Sequence, residues 1–204
     1  MAVKKIIVLL LIIVPVAVSG FRAGEPAGFS GNLLSAALER INHQVQYDGR
    51  YLSISYPNGD MPDGIGVCTD LVIRSYRKLG IDLQKDIHED MRLAFSAYPG
   101  IWGLKRPDRN IDHRRVPNLQ MLFMRKGIVL PVSDDPESYM AGDLVTWMLP
   151  GNLPHIGIVS DSISEDHKWP MIIHNIGSGP ELEDMLFEYK ITGHYRYYGY
   201  TREQ

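Results

Sequence analysis

The chain has 204 residues, with 21 lysines and arginines against 24 aspartates and glutamates, a formal charge of −3, and one cysteine. Removal of an amino-terminal segment holding Lys4 and Lys5 leaves 19 basic residues against 24 acidic ones, or −5. That balance argues against nucleic acid as a partner, because polyanion binding is driven by lysine and arginine. A lone cysteine excludes an internal disulfide.

Lys4 and Lys5 precede an apolar run from Ile6 to Val18, followed by the small residues Ser19 and Gly20. This is the layout of a secretory signal with cleavage after Gly20. The run is 13 residues long and contains Pro15, short of the roughly 20 that a membrane span needs. The expectation is therefore a signal peptide over residues 1–20, a periplasmic or secreted protein, and no stable membrane span after cleavage. Retention as an uncleaved anchor is the alternative. Residues 21–31, rich in glycine and proline, read as a flexible leader, and residues 32–204 as a single domain large enough for a real core.

Ser30 is placed to cap a helix in which Leu33, Leu34, Ala37, Leu38 and Ile41 share a face. Tyr47 to Tyr56 alternates as an extended segment does, and Pro57-Asn58-Gly59-Asp60 closes it with a turn. A second helix is predicted from Cys68, with Leu71, Val72, Ser75, Tyr76 and Leu79 at steps of three and four and Gly80 after it. Asp86 to Phe95 reads as a mixed helix, Tyr98 to Pro117 as a long polar loop, and Leu119 to Lys126 as a short helix ending at Gly127. The pattern then changes. Four strands are predicted, at Asp143–Met148, His155–Ser160, Met171–Asn175 and Tyr195–Tyr198, rich in β-branched and aromatic residues. Helices first and strands second imply an α+β fold, an antiparallel sheet with the cysteine helix on one face.

Cys68 lies where its helix begins, beside unpaired backbone N–H groups and the positive end of the dipole, and both favour the nucleophilic thiolate. A lone cysteine is otherwise a small buried apolar residue, but an unpaired thiol in an oxidising compartment points to chemistry. A thiol nucleophile needs a base within hydrogen-bond reach and a third group to hold that base. His155 opens one predicted strand and His174 lies inside the next. Paired as a hairpin, the strands set the two imidazoles side by side, with His155 as general base and His174, or Asn175 in its place, as orienting group. The Cys68 N–H then helps hold an oxyanion.

Cys68 at a helix start, Ala141-Gly142-Asp143-Leu144-Val145, Pro154-His155-Ile156-Gly157-Ile158-Val159 and Ile173-His174 resemble the NlpC-type cell-wall peptidases of the papain-like superfamily. More closely, Gly66 to Asp70, Asn110 to Leu119, Pro154 to Asp161, His174 to Gly177 and Gly193 to Tyr197 are similar to a family of secreted bacterial proteins carrying a domain of unknown function. This similarity runs over most of the chain from about Val45. The resemblance implies a papain-like α+β core with Cys68 as nucleophile, His155 as base and His174 as the third polar residue. It implies hydrolysis of an amide bond in peptidoglycan stem peptides through an acyl-enzyme, with no metal and no cofactor. Two features depart from the NlpC pattern. Val67-Cys68-Thr69-Asp70 stands where Asp-Cys-Ser is common, and the loop from Tyr98 to Pro117 is longer.

The other polar residues set out the rest of the site. His113, Arg114 and Arg115 are candidates for binding substrate carboxylates, or for pairing internally with Asp108 or Asp112. Asp70 either orients groups near the thiol or stabilises the first helical turn. Asn175 and Trp147 complete the candidate substrate contacts, and cell-wall peptide is the expected partner. Two other readings compete with a hydrolase: a catalytically silent wall-binding module on the same fold, and a zinc site built from Cys68, His155 and His174.

Overall fold

A computed structural model describes residues 26–200. The predicted signal, with its cleavage point and most of the predicted leader, lies outside the described residues. Helix α1 (Phe29–Arg40) is followed by two short parallel strands, β1 (Gln46–Tyr47) and β2 (Ile65–Gly66), then by α2 (Cys68–Lys78), α3 (Leu83–Ala94) and α4 (Val116–Lys126). The strands of the main sheet come after them: β3 (Ile128–Leu130), β4 (Leu144–Leu149), β5 (Leu153–Ile163), β6 (Pro170–Asn175), β7 (Pro180–Glu183) and β8 (Lys190–Arg196). They form one six-stranded sheet in the order β3-β8-β4-β5-β6-β7, and every neighbouring pair is antiparallel. This is the α+β arrangement expected, with the cysteine helix laid on the sheet. No described helix is long and apolar enough to cross a membrane.

Alternation along the strands divides the core in two. Leu144, Ile156, Ile158 and Ile173 pack with Leu33 of α1, Val72 and Tyr76 of α2, and Leu119 and Phe123 of α4. Val145, Trp147, Val159 and Ile172 pack on the other side with Tyr139, Met185 and Leu186. The Tyr76 hydroxyl, fully buried, donates to the Tyr197 carbonyl at 3.0 Å and ties α2 to the end of β8.

Two glycines set how closely the layers approach. Gly142 has φ +88°, and a Cβ there would meet Ser30 Cβ at 2.9 Å, so α1 can rest against the entry to β4 only on glycine. A Cβ on Gly157 would meet Ile172 Cγ2 at 2.6 Å and lie 3.1 Å from His174 Cβ. The missing side chain in β5 lets β6 carry His174 in close.

Several boundaries differ from the sequence reading. Ser30 lies inside α1, and the cap is Gly28 with φ 73°, a left-handed position that glycine takes without a Cβ clash. Most of Tyr47–Tyr56 finds no strand partner, because a short parallel pair uses only Gln46 and Tyr47. Helix α3 starts earlier, at an Asp82 cap whose carboxylate accepts the N–H groups of Gln84 and Lys85. Strands β3 and β7 carry too few residues to show a period of two, and β8 ends where a strand was expected to begin.

Candidate active site

Cys68 is the first residue of α2 and is 3% exposed. Its thiol receives the backbone N–H groups of Ile156 and Thr69 and the hydroxyl of Tyr47. Burial nevertheless pushes the thiol up to about 11, the nearby Asp70 carboxylate adds to this, and the three donors only partly offset it. The expectation that a helix start makes this cysteine a resting thiolate is thereby overturned. Withdrawal from water outweighs the three donors. Tyr47, whose hydroxyl meets the thiol, is itself 43% exposed.

His155 and His174 meet as adjacent strands allow. Nε2 of His155 lies 3.0 Å from Nδ1 of His174, with the rings nearly perpendicular at 87°. Both rings are buried. Burial holds His155 down at about 3, helped by the neighbouring His174, and holds His174 at about 4 against the pull of Glu181 and Glu188. At neutral pH both are uncharged. Because His155 spends Nε2 on His174, Nδ1 is its remaining nitrogen for proton transfer. On the far side of His174, a Glu183 carboxylate oxygen is 2.8 Å from Nε2, yet off the line a hydrogen bond requires, so Nε2 has no directed partner.

Thiol and imidazoles converge on β5 through its backbone. The N–H aimed at Sγ belongs to Ile156, the residue after His155. Ile156 packs in the cluster that holds Cys68, while His155 is opposite Trp147 of the second cluster. The structure brings His155 to His174 and Cys68 to the neighbouring backbone; among the described residues no side-chain hydrogen bond joins Sγ to either ring.

The remaining candidates are built into the frame. Asp70 accepts the Val67 N–H at 2.7 Å, which caps α2, and binds Arg114 through Nε and Nη2, each at 2.9 Å in its shortest contact. Both side chains are nearly fully buried, and Arg114 also donates to the carbonyls of Asp48 and Arg50. Four of the five guanidinium N–H donors of Arg114 are thus spent inside the protein, and burial keeps the side chain away from a substrate carboxylate. It clamps the Tyr47 segment onto the start of α2. Arg115 pairs with Asp112 and lies 4.1 Å above the Trp102 ring. His113 is buried and driven down to about 3, first by burial and then by Arg114. The sequence reads this stretch as a long polar loop, with pairing to Asp108 or Asp112 as one alternative. Its centre is instead a short 3-10 turn, Asp112–Arg114, inside the protein. Trp147 is fully buried and donates its indole N–H to the Leu186 carbonyl at 2.9 Å, which makes it core. Asn175 accepts the Gly177 N–H and shapes the turn after β6.

Three participants escaped the sequence reading. Tyr47 was seen only as a strand residue. Glu181 and Glu183 reach His174 because β7 pairs with β6, with His174 opposite Glu181 and Ile172 opposite Glu183. Alternating glutamates at 181 and 183 were the available signal.

The model of a domain of unknown function, DUF1287, matches residues 34–197. An Escherichia coli (strain K12) protein described as uncharacterized protein YijF is 49% identical over 166 residues, which is 81% of this chain and 80% of that protein. Among solved structures, NlpC1 from Trichomonas vaginalis aligns at a TM-score of 0.43 and 15% identity over 85% of this chain, which spans 45% of that one.

Proposed function

We propose, for a chain that belongs to the DUF1287 family, that it is a periplasmic cysteine hydrolase acting on an amide bond in peptidoglycan stem peptides. The observation that carries this reading is the bonded imidazole pair, Nε2 to Nδ1 at 3.0 Å, on the strand whose next N–H touches the Cys68 sulfur. Export rests on Lys4, Lys5 and the apolar run that follows them.

Thiol and imidazole are both neutral at rest, so proton transfer accompanies attack. A substrate that displaces Tyr47 uncovers Sγ. Nδ1 of His155 then takes the thiol proton as sulfur adds to the amide carbonyl, and His174 holds the imidazolium in place. Catalytic hydrogen bonds that are long in a free enzyme tighten in the substrate complex. The N–H of Cys68 helps hold the developing oxyanion. Collapse of the adduct releases the amine, which recovers the proton from His155. Water activated by the same imidazole then hydrolyses the thioester.

The test is digestion of purified peptidoglycan followed by mass spectrometry of the released fragments. Cys68→Ala and His155→Ala are each expected to abolish release while the circular dichroism spectrum is kept. Undiminished release by the cysteine variant overturns the reading. A folded wild type that releases nothing and binds wall peptide equally well with and without Cys68 favours the silent binding module.

A further inference from the structure

His174 is fully buried, and one of its ring nitrogens is used by His155. The other, Nε2, is shut off from water without a hydrogen-bond partner, a condition that costs free energy unless something else occupies it. Two carboxylates of β7 lie beside it. Nε2 of His174 and one carboxylate oxygen each from Glu181 and Glu183 lie within 4.8 Å of one another. Glu183 contributes its oxygen at 2.8 Å and keeps its side chain 42% exposed. Both carboxylates belong to β7, the edge strand of the sheet, where the Glu183 side chain meets solvent.

We infer that His174, Glu181 and Glu183 form a divalent-cation site, best suited to zinc. One imidazole and two carboxylates make a donor set that borderline metals accept, at bond lengths of about 2.0–2.2 Å, with a fourth position left for water. Strand geometry supplies the convergence. Glu181 is directly across from His174, and Glu183 across from Ile172, two residues before His174 on the same face. His155, on the second nitrogen of His174, is the outer partner that fixes a ligating histidine's tautomer and orientation.

The site has a consequence for the hydrolase, and this part rests on the function proposed above. A neutral imidazole carries one proton. With a cation on Nε2 of His174, that proton is on Nδ1 and is donated to Nε2 of His155. A neutral His155 then carries its own proton on Nδ1, the nitrogen that has to accept from Cys68. Zinc thus holds the base in the inactive tautomer without approaching the thiol, and its removal frees the relay.

The experiment is titration of the metal-stripped protein with zinc chloride by calorimetry, alongside nitrogen-15 spectra of the imidazoles. One equivalent is expected to bind, with the His174 and His155 tautomers shifting together. Glu181→Gln and Glu183→Gln are each expected to weaken binding about tenfold or more, and the double variant to abolish it. Cys68→Ser and His167→Ala, outside the site, should bind as wild type does. Absence of zinc uptake, or uptake unchanged in a double variant that keeps the wild-type melting temperature, overturns the site. Binding is read without turnover, so a protein that binds zinc here but digests no peptidoglycan retains the site and loses the hydrolase.

Discussion

The molecule holds two buried histidines beside carboxylates, and they differ in how completely their nitrogens are used. His194 in β8 has Nε2 2.7 Å from Asp143 and Nδ1 3.1 Å from the Pro131 carbonyl. Asp143 in turn accepts Arg196 and the Met140 N–H, and the imidazole stacks on Tyr139. Burial would raise the Asp143 carboxyl, but the hydrogen bonds from His194 and Arg196 prevail and hold it below its usual value. His174 in β6 has one nitrogen on another imidazole and the other without a directed partner, beside a half-exposed carboxylate. A histidine with both nitrogens bonded braces the sheet. One with a nitrogen left over is available for chemistry.

That contrast is broken most severely at the brace. Asp143→Ala leaves the buried His194 imidazole without its carboxylate and takes one partner from the half-buried Arg196, and should cost about 3–5 kcal/mol. Glu183→Gln, on a half-exposed partner, should change stability by no more than about 1 kcal/mol. Urea unfolding of both variants measures the difference, and equal losses would erase the distinction.

A smaller effect lies in the pH profile of stability. Asp143 is depressed in the folded state, so its stabilisation is complete above its unfolded value near 3.8 and is lost as pH falls through its lower folded value. Asp86 has the opposite sign. Burial raises it to about 6 although the Tyr197 hydroxyl donates to it at 2.8 Å. The folded state holds that proton longer than the unfolded one, so stability declines as pH rises from about 4 to about 6. Thermal melts across this window should show the decline in the wild type and a flatter profile in Asp86→Asn; an unchanged slope would remove Asp86 as its source.

The smallest expected change is at the thiol. Tyr47 is a part-exposed side chain in contact with the Cys68 thiol, so Tyr47→Ala should open a path to the sulfur and quicken iodoacetamide labelling at pH 8 several-fold, with little loss of stability because Tyr47 is already 43% exposed. Labelling no faster than in the wild type would mean that the surrounding core, and not this side chain, shields the sulfur.

Much of the framework was legible along the chain. The cysteine helix, the helix ending at Gly127 and three of the sheet strands have enough residues to display their period, and each appears near its expected place. The proximity of His155 and His174 was legible for the same reason: adjacent strands joined by a short connection pair as a hairpin. The roles of Arg114 and Trp147 were not legible. An arginine in a polar loop and a tryptophan in a strand look alike to local reasoning whether they face substrate or core. Only contacts across 44 and 39 residues, to Asp70 and Leu186, decide between those fates.

Local order along the chain determined the alternation of strands, the position of Cys68 at a helix start and the nearness of the two histidines, because period and chain connection are short-range properties. Tertiary structure alone decided the state of each group. The thiol became neutral by burial, the Asp112–Arg114 turn went inside, and two glutamates on an edge strand were brought to the free nitrogen of His174. Desolvation and charge pairing depend on everything within a few ångströms, and most of those neighbours are far away in sequence.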